Sequence, residues 1–445
     1  MTPALETEHC DVVVVGAGFS GLAAVRTLLA RGVDTVLVEA RHRVGGRCEN
    51  AAIPVGRDGW TLDLGAGWTG SGQHRFHELA SEFGVELVEP HLDGDSITVL
   101  GGRRADIGDD HLGELVAIDH ALADIAATIP DDRPWDAPDA LALDTTSFGA
   151  WLGSQCPSDV VIDLVRLGYE GFFCARLDEI SLLHAAYFSS IKGGFLELVG
   201  GKDTHRLRGG TFGLADKLAQ SLGDVVRLGR PVTRITQSEH DVVVEASELR
   251  LVARRVIVAL APSLAGSIDF VPTLPVQRDL IHRQLRFGTG YKVHAVYETP
   301  FWRSSGLSGS FLDAGLDISG SVDVTPPSGT PGIIVGYGSS AWAEQRAMSF
   351  ERRRTVFLEA LATHLGPEAL APIHYEEKLW ESDPWSRGDL AVFPIGFWAT
   401  IGRHLREPVG RIHWAGTETA TEFPNEIEGA LSAGERAADE VLRAL

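Results

Sequence analysis

One stretch limits the fold of this 445-residue chain more than any other: residues 11–21, which read DVVVVGAGFSG. Asp11 and the four valines after it form a predicted buried strand, apolar and β-branched. The next six residues carry the G-x-G-x-x-G pattern. Leu22–Arg31 read as a helix ending at Gly32, and Val36–Val38 as a second strand closing on Glu39. Gly16 permits the tight turn, Gly18 lets a pyrophosphate approach the backbone, and Gly21 lets helix and strand pack closely. The helix N-terminus offers free N–H groups and a positive dipole end to phosphates. Glu39 stands 18 residues beyond Gly21, near the roughly 20 expected of an acid that accepts ribose hydroxyls. Alone, G-x-G-x-x-G is a weak signal. With a strand before it, a helix after it and an acid at the next strand end it marks a dinucleotide site, and an acid at position 39 points to FAD or NAD over NADP.

A basic, Gly-rich loop follows the acid, from Arg41 through Gly46 to Arg47. Its arginines are suited to neutralise a pyrophosphate or to cover a flavin. Length suggests two or three domains. The formal net charge of -22 argues against nucleic acid and anionic membrane surfaces as partners. Cys10, Cys48, Cys156 and Cys174 form no C-x-x-C, so neither a metal site nor a redox dithiol is expected, and free thiols of a reducing compartment are. The N-terminal MTPALETEHC has no apolar signal core, and no run of about 18 apolar residues occurs. A soluble, cytoplasmic protein is expected.

Further along, Asp63–Trp68 (DLGAGW) is a second Gly-rich strand end, and Phe76–Phe83 a short helix. His111–Ile129, Asp159–Leu167 and Ile180–Ile191 read as helices, so the middle of the chain lacks the β/α rhythm. That rhythm returns at Leu207, with a helix over Leu214–Leu222, strands at Val225–Leu228 and Pro231–Ile235, a hairpin over 241–253 and a buried strand at Arg255–Leu260. A mixed segment from about Leu285 to Trp380 has strands at Tyr291–Tyr297 and Gly332–Gly336 and a helix at Phe350–Leu365. The end runs from the strand Arg411–Gly416 into an Ala-rich helix over Ile427–Leu442.

At this point the residues carry a resemblance. GAGFSGLAA with EARHRVGGR, DLGAGW, LRGGTFGLADKL, RPVTRI, VIVALAP, GTGYKVHAVYETPFW, WESDPWSRG and WAGTETATEFPNEIEGALSAGERAADEVL resemble, in order, the flavin-dependent amine oxidase family of monoamine and polyamine oxidases and their bacterial relatives. The resemblance implies an α/β fold: a discontinuous, Rossmann-like FAD-binding domain (9–77, 204–286 and 385–445) and an α+β substrate-binding domain (78–203 and 287–384), monoamine-oxidase-like. It implies that Ser20, Glu39, Arg41 and Arg47 hold the ADP half of FAD. Ala66, Gly67 and Trp68 would lie along the ribityl chain and the isoalloxazine, and Val232 would offer its backbone to adenine. Gly416, Glu418 and Ile427 would close the flavin from the C-terminal side, and Trp380 would line it. Lys292 matches the family lysine that holds a water near flavin N5, and so is the expected catalytic residue. Taken without the family, Lys292 is more often an exposed lysine on an alternating strand.

Two departures qualify the resemblance. The mammalian monoamine oxidases tether flavin through a cysteine after Ser-Gly-Gly; here the stretch is Ser386-Arg387-Gly388-Asp389 and no cysteine follows Cys174, so non-covalent FAD is expected. The two tyrosines of their aromatic cage correspond to Leu390 and Glu426, which cannot orient an amine by ring faces; Glu426 is expected to hold a second cationic or hydrogen-bonding group of the substrate, or else to pair with a protein arginine or point to solvent. The activity implied is oxidation of a small-molecule amine to an imine that hydrolyses to an aldehyde or ketone, with O2 reduced to hydrogen peroxide. Alternatives are a dehydrogenase with another acceptor, or a relative oxidising a cyclic amine, an amino acid or a C–C bond. An amino acid would want an arginine, such as Arg75 or Arg166, for its carboxylate. A homodimer is compatible with the sequence.

Overall fold

The computed structural model describes residues 6–53, 59–105, 108–155, 158–200, 203–288, 290–338 and 347–445; Cys156 lies outside them. The valine strand sits near the centre of a five-stranded, all-parallel sheet. Its order is Val226–Arg227, Thr35–Val38, Val12–Val15, Arg255–Val258, Ile412–Trp414. All four valines are fully or almost fully buried, as expected of a strand covered on both faces. On one face lie the helices Phe19–Leu29 and Ile427–Ala444. They approach closely because position 434 is glycine: a Cβ there would stand 2.0 Å from the carbonyl oxygen of Ser20. On the other face packs a mixed sheet built on the hairpin Val242–Ala246/Leu249–Ala253. It includes the parallel edge strand Glu6–His9, which the sequence reading treats as a polar terminus.

The first helix begins at Phe19, inside the glycine motif and earlier than the expected Leu22, because Gly18 in extended conformation is its N-cap. Gly18 gives no side-chain cap, so the first-turn N–H groups stay available to a ligand. The expected strand over Val225–Leu228 shortens to Val226–Arg227, since Gly223–Val225 forms a 3₁₀ turn. Leu249–Ala253, Tyr291–Tyr297 and Phe350–Leu365 fall where the pattern puts them.

Residues 95–104 and 291–378 contribute a seven-stranded sheet, ordered His374–Lys378, Tyr291–Tyr297, Gly332–Gly338, Ile318–Asp323, Leu307–Asp313, Asp95–Leu100, Arg103–Arg104. Period-two alternation along Tyr291–Tyr297 turns Tyr291, Val293, Ala295 and Tyr297 into one core with the helix Phe350–Leu365. It turns Lys292 and Val296 to the opposite face, where Val296 meets Leu62 and Leu64. A helical cluster over Asp109–Ala126, Phe148–Gln155, Asp159–Phe173 and Leu182–Ile191 completes the molecule. Among the described residues no helix is long and apolar enough to cross a membrane.

Candidate active site

A single elongated cavity runs from the end of the parallel sheet to the face of the seven-stranded sheet. Every residue expected to hold cofactor or substrate lines it except Gly21: Gly16, Gly18, Ser20, Glu39, Arg41, Gly46, Arg47, Ala66, Gly67, Trp68, Val232, Lys292, Trp380, Leu390, Gly416, Glu418, Glu426 and Ile427. Gly21 works from behind the wall. A Cβ there would stand 1.9 Å from the carbonyl oxygen of Gly16, so its glycine serves helix–strand packing.

At the sheet end, Glu39 is 5% exposed and accepts from the backbone N–H of Ala17 and of Arg41, each at 2.8 Å. One bond per carboxylate oxygen leaves each a spare lone pair for a hydroxyl. A Cβ on Gly18 would meet nothing within 4 Å, because that glycine borders open cavity. Ser20 Oγ accepts from Gly416 N–H at 2.8 Å and so joins the first helix to the turn before the last. Arg41 donates to Asp383 at 2.7 Å and Ser386 at 2.6 Å. Arg47 donates to the Asp389 carbonyl and to Glu418 Oε1, both at 2.6 Å. The other Glu418 oxygen, Oε2, is buried without a protein partner. Spare acceptors at the acid, an open glycine edge at a helix N-terminus and an orphan carboxylate oxygen facing the same cavity fit a dinucleotide with a polar chain.

At the other end, Lys292 Nζ donates to the Gly65 carbonyl at 2.7 Å and lies 5.9 Å from the centroid of Tyr337. Burial pulls its pKa down from 10.5 to about 8, with Asp63 holding it up and Arg206 pushing it further down. Trp68 Nε1 donates to the Tyr337 hydroxyl at 2.6 Å, and Trp380 is fixed by its bond to the Leu64 carbonyl at 3.0 Å. Phe172, Cys174, Phe287, Tyr337 and Leu390 make this end largely apolar. Burial raises the Asp389 carboxyl above its ordinary range against the opposing pull of Arg47 and Lys292.

Glu426 is held within the protein: it forms an ion pair with Lys192 and accepts from Gln73 Nε2 at 2.8 Å. The partner is a lysine, where the sequence reading allows for a substrate cation, an arginine or solvent. Arg75 faces Glu422, Glu428 and Glu435, Arg166 faces Asp163, and neither lines the cavity. Sequence reasoning misses Gln73, Phe172, Cys174, Tyr337, Asp389 and Asn425 as wall residues. Of these only Asp389 carried a signal, its place in the stretch after Ser386.

A dinucleotide-binding sheet joined to an apolar chamber with a lysine in its wall is the arrangement of a nucleotide-cofactor oxidoreductase. The chain belongs to the flavin-containing amine oxidoreductases, whose family model matches residues 19–442. It is 35% identical over 461 residues to putrescine oxidase of Kocuria rosea, covering 98% of this chain and 95% of that protein. A solved putrescine oxidase bound to putrescine superposes with a TM-score of 0.93 at 33% identity, over 98% of this chain and 100% of that one. Cyclohexylamine oxidase from Brevibacterium oxydans gives 0.90 at 31% identity, over 98% and 99%. The protein is thus an FAD-dependent enzyme that oxidises amines, with the fold read from its sequence. FAD is expected to be held without a covalent bond, since the stretch resembling the family's tethering sequence reads Ser386-Arg387-Gly388-Asp389. Acid precipitation is expected to leave the yellow colour in the supernatant; a yellow pellet would contradict this.

Proposed function

We propose that the protein oxidises a small primary or secondary amine with a largely apolar body, and that dioxygen reoxidises the cofactor with release of hydrogen peroxide. When bound, FAD supplies the two-electron acceptor for the hydrogen on the substrate carbon next to nitrogen. Residues 9–77, 204–286 and 385–445 would form the FAD-binding domain, and 78–203 and 287–384 the substrate-binding domain. Glu39 would accept the ribose hydroxyls, the N–H groups after Gly18 with Gly46 and Arg41 would receive the pyrophosphate, Val232 the adenine, and Ala66, Gly67, Trp68, Trp380, Gly416, Glu418 and Ile427 the flavin half. Arg47 would orient Glu418, its partner at 2.6 Å.

Lys292 would act through a water and not as a nucleophile. An amine must give up its hydrogen as the free base. An apolar chamber walled by Phe172, Leu390 and Tyr337 favours that form by making the ammonium costly. The product imine would leave for hydrolysis. Free Cys10, Cys48 and Cys174 support a reducing, cytoplasmic setting.

The observation that carries this reading is Lys292 on the cavity wall, hydrogen-bonded to Gly65 and flanked by apolar residues. The test is anaerobic mixing of the holoenzyme with arylalkyl amines, linear alkylamines, diamines, cyclic secondary amines and amino acids. Loss of oxidised-flavin absorbance with one class, rapidly reversed by air with peroxide appearing, is expected. Slow reversal by air would make the enzyme a dehydrogenase, and no bleaching by any amine would defeat the reading.

A further inference from the structure

Lys192 caps the C-terminus of the helix Leu182–Ile191, and Glu426 is the N-cap residue of the helix Ile427–Ala444. These two helix ends meet behind the apolar end of the cavity. The Lys192 ammonium pairs with Glu426 Oε1, and the two side chains are only 11% and 12% exposed. The same ammonium lies 5.2 Å from the ring centroid of Phe172 and 5.1 Å from that of Phe423. Gln73 donates to the second Glu426 oxygen at 2.8 Å. Glu426, Gln73 and Phe172 face the cavity. A box of one carboxylate and two ring faces is the chemistry that recognises an alkylammonium ion. Here it adjoins the chamber for an amine substrate, and it is already filled by the protein's own primary ammonium on a four-methylene stem.

We propose that Lys192 is a specificity-determining residue: by occupying the Glu426–Phe172–Phe423 box it keeps that wall electrically neutral and denies it to a second cationic group, so the enzyme prefers amines with an uncharged remainder over α,ω-diamines. The proposal rests on the amine-oxidase reading of the site. A diamine in the chamber must strip water from its distal ammonium, which is costly unless an anion receives it. Glu426 is engaged on both oxygens. Of the other cavity-wall carboxylates, Glu418 is held by Arg47, Glu39 by two backbone N–H groups, and Asp389 lies in the field of Arg47 and Lys292. Admitting the distal ammonium to the box would displace Lys192 into an apolar wall.

The pair makes a reciprocal test possible. Lys192→Met keeps the stem and removes the charge, leaving Glu426 as an open anion. Glu426→Gln leaves Lys192 as an open cation. The ligands are 1-aminopentane, 1,5-diaminopentane and 5-aminopentanoate. They are compared by kcat/KM and by calorimetric titration of the reduced holoenzyme, which cannot turn them over. Lys192→Met is expected to shift the diamine-to-monoamine ratio by about tenfold or more in favour of the diamine. Glu426→Gln is expected to shift the aminopentanoate-to-monoamine ratio by about as much in favour of the carboxylate. Lys192→Arg should keep the wild-type ratios, and the double variant Lys192→Met/Glu426→Gln should abolish both shifts. Ratios moving less than about tenfold in both single variants would overturn the proposal. Should the binding ratios move while no amine is oxidised by any form, the proposal stands and the functional reading falls. If Lys192→Met fails to retain flavin, Glu426→Gln with 5-aminopentanoate decides alone.

Discussion

Lys292→Met is expected to slow reduction of the bound flavin by amine about 10²–10⁴-fold, the range of a lost positioned proton-handling group, and to make the flavin-free protein more stable. The two effects share one cause. Lys292 sits on a strand between Tyr291 and Val293, both essentially buried, with its own side chain turned to the cavity wall. Burial lowers its pKa to about 8 from 10.5. Below pH 8 the lysine is protonated both folded and unfolded, and the folded state bears the full cost of holding a poorly solvated ammonium. Between pH 8 and 10.5 the unfolded chain binds the extra proton, so stability rises with pH across that window. The shift corresponds to roughly 3 kcal/mol, and losing the bond to Gly65 returns about 1 kcal/mol of it. A net gain of about 2 kcal/mol at pH 7, giving way above pH 10.5 to a loss of about 1 kcal/mol for the missing bond to Gly65, is therefore expected for the variant. Denaturant unfolding of the apoprotein across that range, with stopped-flow reduction of the holoenzyme, checks both. A variant less stable than wild type at pH 7, or one reduced at the wild-type rate, would remove Lys292 from its proposed role.

That coupling explains why Lys292 was the hardest site residue to read from the sequence alone. An alternating strand normally turns its charged positions to water, and here the second face meets Leu62, Leu64 and Val335. Only the family resemblance singles the lysine out. The first β-α-β unit is legible from the residues themselves because strand propensity, glycine spacing, helix onset and the acid at position 39 all point the same way. The strands Leu307–Asp313 and Ile318–Asp323 carry no comparable signal. Their sequences, LSGSFLD and ISGSVD, are rich in glycine and serine, and it is pairing with neighbours in the seven-stranded sheet that makes them strands. The Lys192–Glu426 pair joins two helix ends remote in the chain, and no local pattern announces it.

Asp63→Ala is expected to destabilise the protein by about 3–5 kcal/mol, the cost of leaving one partner of a buried ion pair alone. Asp63 is 1% exposed. One oxygen accepts from Arg206 at 3.0 Å and the other from the Thr211 N–H at 3.1 Å. Arg206 in turn donates to the Val324 carbonyl at 3.0 Å, so the carboxylate joins the strand before the cavity loop to the end of Ile318–Asp323, the central strand of the seven-stranded sheet. The site is tight as well as charged: a Cβ on Gly210 would stand 2.4 Å from Asp63 Oδ1, and one on Gly67 would stand 2.7 Å from its Cβ. Alanine would leave a guanidinium in the core with one fewer acceptor and a void beside two glycines. Removing both charges with Asp63→Asn/Arg206→Met should recover most of the loss, because the penalty belongs to the orphaned charge and not to the absent pair. The same carboxylate raises the pKa of Lys292. In Asp63→Asn, which keeps the shape, Lys292 should therefore lose its proton below pH 8, and any break that it contributes to the pH profile of flavin reduction should move down. Urea unfolding that shows less than about 1 kcal/mol lost in Asp63→Ala would mean the buried pair is neutral to stability. A profile unmoved in Asp63→Asn would mean that Lys292 is not the group being titrated.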